Sequence, residues 1–147
     1  MTNDAKTIRK NIRDALTDVF VSLARVLFFW VPGGDEAIGK ALMTAHPFFL
    51  VITIAMFFVM PARSIHRIGI AAFAVLVSMS QWMFSGCIIT RAEQKLTGGK
   101  DTIFDPFLTL AGLEVSRDSR VAATIAAGTT TCAMLLWALF CDFALFA

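Results

Sequence analysis

The stretch "IGIAAFAVLVSMSQWMFSGCIITRAEQKLTGG", residues 68–99, decides how this chain folds. From Ile68 to Ile89 it carries no charge. An apolar run of about 20 residues is what one helix needs to cross a bilayer. The stretch then turns polar at Arg91, Glu93 and Lys95 and breaks at Gly98 and Gly99, so the helix leaves the membrane there. With Ser64 as its N-cap, the spacing predicts one membrane helix over 64–93.

Two more runs have the same character. "ALMTAHPFFLVITIAMFFVM", residues 41–60, is interrupted only by His46 and Pro47, and "VAATIAAGTTTCAMLLWALFC", residues 121–141, is followed by Asp142. These runs are continuous, whereas a membrane barrel needs many alternating segments of about ten residues, so strands are excluded. Composition agrees: 57% of the chain is hydrophobic and 16% charged, against roughly 25% charged in soluble domains. Fourteen Phe, three Trp and no Tyr suit a lipid-facing exterior. A net charge of +2 leaves no footprint for nucleic acid. The fold class expected is therefore all-α: an integral, multi-pass protein whose residues 1–147 form a single membrane domain.

A fourth run, "ALTDVFVSLARVLFFWV" at residues 15–31, admits two readings. At 100° per residue Asn11, Asp14, Asp18, Ser22 and Arg25 fall within roughly 80°, opposite Phe20, Leu23, Leu27 and Val31. Such an amphipathic helix either lies in the headgroup region or crosses with its polar stripe turned inward. A crossing would divide the basic residues evenly between the two sides. A surface helix leaves only Arg63 and Arg67 outside, which fits the positive-inside rule. Three transmembrane helices plus an amphipathic N-terminal helix are thus favoured over four, with the N-terminus cytoplasmic. Asp14 and Asp18 interrupt what would be the apolar core of a signal peptide, so a retained helix is expected.

The segments expected are an amphipathic or first membrane helix over 5–31, membrane helices over 36–60, 64–93 and 118–145, and a polar loop over 91–120 holding a short helix at 106–111. Gly33 and Gly34 break the first helix, and Asp35 is placed to cap the second. Pro47 kinks that helix, and His46 is a polar group suited to satisfy the freed backbone. Asp105 with Pro106 starts the short helix, and Gly112 stops it. Ala123, Ala127 and Thr131, four residues apart, form a small-residue face for helix packing.

For chemistry, the opening stretch is the richest. On a helix continuing to Glu93, the residues Trp82, Gly86, Thr90 and Glu93 share one face, with Cys87 pointing more than a right angle from Trp82. Glu93 is then a solvated residue at the membrane exit, an anchor for the loop at Asp105, or part of a ligand site. The pattern W-x(3)-G-C-x-x-T-x-x-E-x-x-L, met as Trp82, Gly86, Cys87, Thr90, Glu93 and Leu96, resembles the signature of a family of small uncharacterised bacterial multi-pass membrane proteins. In that family it commonly reads C-P-L-T-x-x-E, where this chain has Ile88 for the Pro. It is also similar to helix exits in small membrane proteins of large DNA viruses. The resemblance implies a shared fold and a shared site, without a settled activity.

Other constellations are sparser. His46 and His66 stand at opposite ends of one helix, about 30 Å apart at 1.5 Å per residue, and so share neither haem nor metal. Cys87, Cys132 and Cys141 lack metal-site spacing. No pattern names a cofactor, and nothing in the sequence draws Glu93, Asp105, His46, Asp18 and Arg25 together into a catalytic site. The expectation is a non-catalytic structural or accessory subunit of a membrane assembly, with the lipid bilayer and other membrane proteins or further copies as partners. The alternatives are a small transporter-like or ligand-binding protein with its polar site at Glu93, and a viral or bacterial envelope component.

Overall fold

A computed structural model describes residues 3–99 and 101–144. Among the described residues every regular element is a helix: α1 Asn3–Leu27, α2 Gly34–Val59, α3 Ile65–Phe84, α4 Ile88–Thr97, α5 Asp105–Leu110 and α6 Arg117–Ala144. Three of them, α2, α3 and α6, are long and apolar enough to cross a membrane. The end expected at residue 145 lies outside the described residues.

The helix α1 is not among the three. Thr17, Val21 and Ala24 form its buried stripe, and Val21 and Ala24 pack with Ile38 and Leu42 of α2 and Ala92 and Leu96 of α4. On another side Ile8, Ile12, Val19, Leu23 and Val26 are exposed and fall within about 60° at 100° per residue, an apolar strip suited to lipid. Asp18 and Arg25 lie between these two faces and pair with Lys95 and Asp35, respectively. Both pairs are exposed, so they add register more than stability. Asp35 therefore serves as a partner for Arg25, and Gly33, with φ 112°, takes the cap position of α2 in its place.

The chain returns through a tight turn in which Ser64 Oγ accepts from the Arg67 backbone N–H, the N-cap expected for α3. At this end Phe57, Ala71 and Leu135 form a second small core joining α2, α3 and α6. Arg67 is the clasp around it. Its Nε donates to Phe57 O at 2.7 Å, its guanidinium lies 4.8 Å from the Phe57 ring centroid, and it pairs with Asp142 at the end of α6.

The helix expected over 64–93 is in fact two. Ser85 (φ 54°) and Gly86 (φ 123°) both adopt left-handed backbone, and the Ser85 and Gly86 N–H groups donate to Gln81 O, closing α3 at Phe84. Left-handed residues end an α-helix, and two in a row redirect the chain. Consequently α4 leaves the line of α3 and packs against α2 and α1. Gly39 allows that approach, since a Cβ there would lie 2.6 Å from Thr97 Cγ2 and 2.9 Å from Leu96 Cβ.

The packing face expected at Ala123, Ala127 and Thr131 is displaced round the helix. The buried positions of α6 are Thr124 and Leu135, and Gly128 between them is pressed by the Gln81 side chain of α3. Ala123, Ala127 and Thr131 are half-buried on its flank. The short helix falls one residue before its expected start, with Pro106 in its first turn.

Two substitutions test this packing. Gly39→Val overpacks the α2–α4 contact and lowers stability by about 1–3 kcal/mol. Arg67→Met leaves Asp142 unpaired and costs about 3–5 kcal/mol. Unfolding in mixed micelles measures both, with exposed Phe49→Leu expected to change little.

Candidate functional site

The break after α3 gives Cys87 a position that a continuous helix would deny it. Cys87 becomes the N-cap residue of α4, with extended backbone. Its side chain makes no cap hydrogen bond, but the N–H groups of Thr90 and Ile89 in the first turn favour the thiolate electrostatically. A helix N-terminus carries partial positive charge and favours a thiolate.

Across from it stands His46, one residue before the proline of α2. Two turns separate it from Gly39, where α2 and α4 touch, so the close crossing brings α4 alongside the imidazole. His46 Nδ1 lies 2.8 Å from Glu93 Oε1, and His46 Nε2 lies 3.6 Å from Cys87 Sγ. Glu93 is 2% exposed, so its role is neither that of a solvated exit residue nor that of an anchor for Asp105. A carboxylate this buried needs a partner, and the ring supplies it. His46 consequently spans carboxylate and thiol through its two nitrogens and faces away from any role in satisfying the Pro47 kink. Carboxylate and sulfur sit at opposite sides of the ring, a relay order, and do not converge on one ion. Among the described residues no group of three or more His, Cys, Asp or Glu is arranged to hold a metal.

Burial alone pushes the Cys87 thiol up. The His46 ring and the Thr90 and Ile89 N–H groups more than offset this, and the thiol ends below its ordinary value of 9.0. That is the environment of a reactive rather than a packing cysteine.

Cys87 also lines a cavity of about 330 Å³ between the α3–α4 turn and the start of α6. Thr90, Gly86, Arg91, Arg117 and Arg120 are on its wall. Asp105 lies behind it. Its carboxylate accepts from Arg120 Nε and Nη2, both at 2.7 Å, and from Thr102 N–H and Oγ at 3.1 and 2.7 Å. Burial raises the Asp105 carboxyl, and the bonds from Arg120 and Thr102 outweigh it, leaving the pKa below 3.8. This fork fastens the loop to α6.

Of the residues expected to form the site, Cys87, Thr90, Glu93 and Gly86 do gather, with His46 joining them from α2. Trp82 does not: it is exposed, and its indole N–H donates to Thr129 Oγ of α6 at 3.2 Å. Asp105 is bonded to Arg120 and Thr102, which line the cavity, rather than to Glu93. Arg91, Arg117 and the Cys87–His46 contact are not anticipated by the sequence. The Ser85–Gly86 pair, a frequent turn signal, is the feature that reveals the break and moves Cys87 from a helix flank to a helix start. Comparison with family models, curated proteins and solved structures returns no match for the chain.

A lowered thiol pKa places the midpoint of Cys87 alkylation, followed by mass spectrometry against pH, below 9.0. His46→Ala moves that midpoint upward. For Asp105 the sign is that of a depressed carboxyl: its stabilisation is complete above 3.8 and is lost as pH falls through the lower folded-state value. The stability gap between the protein and Asp105→Asn should therefore be constant at neutral pH and close only below pH 3.8.

Proposed function

We propose that this protein is a membrane-embedded acyl-transfer enzyme with Cys87 as nucleophile. The observation that carries the reading is the order Glu93–His46–Cys87, in which one imidazole bonds a buried carboxylate through Nδ1 and meets a thiol through Nε2. This is the arrangement in which a base activates a nucleophile while a third group orients the base.

The chemistry follows from those atoms. The Sγ proton passes to His46 Nε2, and the thiolate attacks the carbonyl carbon of an ester or thioester. A C–S bond forms. Collapse of the tetrahedral intermediate breaks the bond to the donor's alcohol or thiol, which leaves with the proton from Nε2. Water or an acceptor hydroxyl then releases the acyl group by the reverse sequence, returning the proton to Cys87. Glu93 is a positioning residue, which fixes the ring's tautomer and orientation. Acyl chemistry suits the site better than disulfide exchange, because Cys132 and Cys141 lie on α6, away from this cluster.

Location supports the same substrate class. Cys87 follows the end of α3 by three residues, at the boundary where lipid ester carbonyls lie. Arg63 and Arg67 are at the opposite end of α3, so the positive-inside rule puts α1, α4 and the cavity on the cytoplasmic side. The Gly86–Cys87–Thr90–Glu93 spacing that resembles small bacterial membrane proteins is, on this reading, the spacing of turn, nucleophile, cavity wall and orienting carboxylate.

A second reading, a non-catalytic subunit of a membrane assembly, is favoured by a shallow groove on α6. Ala122, Ala126 and Thr129 line it beside Trp82, a small-residue surface suited to another membrane helix or a second copy.

Incubating the full chain in vesicles with ester and thioester amphiphiles, followed by intact-mass analysis, tests the proposal. An acyl adduct on Cys87, released by hydroxylamine and absent in Cys87→Ala, is expected. His46→Ala should slow its formation by about 10²–10⁴-fold. Equal labelling of Cys132 and Cys141, or an unlabelled Cys87, would contradict it and favour the subunit reading.

A further inference from the structure

The cavity beside Cys87 has an unbalanced charge. Three arginines, Arg91, Arg117 and Arg120, contribute to its wall, and no Asp or Glu does. The two oxygens of Asp105 are both engaged by the fork of Arg120. Arg120 is therefore neutralised.

Arg91 and Arg117 are not. Arg91 Nη2 donates to the Phe84 and Ser85 carbonyls at 3.2 and 3.0 Å, at the C-terminal end of α3. Its Nε is buried and has no hydrogen-bond partner, a cost that a native structure accepts where something else completes the site. Arg13 from α1 and Arg117 from α6 both add repulsion to Arg91, and the Asp14 carboxylate near them is engaged by Arg13. Arg117 makes no ion pair among the described residues. Two guanidiniums held near each other without a carboxylate between them form a site for an anion, and their planar donor sets match phosphate oxygens. Thr90 adds a hydroxyl to the same wall.

We propose that this cavity takes the phosphate of a phosphate-headed acyl ester, bound between Arg91 and Arg117, with the ester carbonyl beside Cys87. The inference rests on the acyl-transfer reading and narrows its substrate from amphiphilic esters in general to glycerophosphate-type lipids. A volume of about 330 Å³ suits a small headgroup rather than whole acyl chains. The chains would lie outward, along the apolar surface that α3 and α6 present to lipid.

Binding is measured on the full-length Cys87→Ala protein in mild detergent, where no acylation occurs, by competition against a fluorescent short-chain phosphatidic acid. Unlabelled phosphatidic acid is expected to compete, diacylglycerol of the same chain length is not, and Arg117→Gln or Arg91→Gln should weaken binding by about tenfold or more. Arg117 is exposed, so its substitution leaves folding intact even where loss of Arg91 loosens the α3–α4 turn. Diacylglycerol competing equally, or neither substitution changing the affinity, overturns the inference. Inorganic phosphate competing as well as the lipid also overturns it, by making free phosphate the ligand. Acylation of wild-type Cys87 by a neutral ester, together with absent phosphatidic acid binding, would reject this substrate and leave the acyl-transfer reading standing.

Discussion

A buried carboxylate is the constraint on which the rest of this structure turns. Glu93 sits on a short helix pressed against a membrane helix, almost wholly removed from solvent. Leaving it unpaired there would cost several kcal/mol. His46 answers that demand and in doing so fixes the position of α4 against α2. The close approach at Gly39 and the fully buried Ala92 allow it. Once the ring is held by Glu93, its remaining nitrogen has one neighbour, the sulfur of Cys87. Packing, polar satisfaction and candidate chemistry are thus one feature described at three levels.

The molecule is built to make that feature possible at one end and to be secured at the other. The Phe57 end has a small core and a clasp made by Arg67 and Asp142. The opposite end carries the other core, formed by α1, α2 and α4. Between them the membrane helices expose Phe48, Phe49, Leu76, Met79 and Trp137, as a lipid-solvated surface permits. Without a large buried core, specific contacts between small residues and a few satisfied polar groups set the arrangement.

The membrane class, the three crossing segments and the separate amphipathic helix were legible because each rests on local composition and period. The Ser64 cap and the short helix at Pro106 were legible for the same reason. The site was only half legible. Gly86, Cys87, Thr90 and Glu93 attract attention by their spacing, but a continuous helix through them sets Cys87 apart from Glu93. The left-handed pair Ser85 and Gly86 reverses that relation, and a single glycine in an apolar run is easily taken for a packing contact. The role of His46 could not be read at all. Its partner lies 47 positions away, and only the crossing of α2 over α4 brings the two together. Arg91 and Arg117 were hidden likewise, as ordinary loop charges.

The most direct test is a double-mutant cycle on the alkylation rate of Cys87 at neutral pH, using His46→Ala, Glu93→Gln and the pair. If Glu93 acts through the ring, each single change slows the reaction, and the double variant is no slower than His46→Ala alone. Additive losses, or a rate indifferent to Glu93, would mean that carboxylate and thiol are not linked through His46, and the account built on that link would fail.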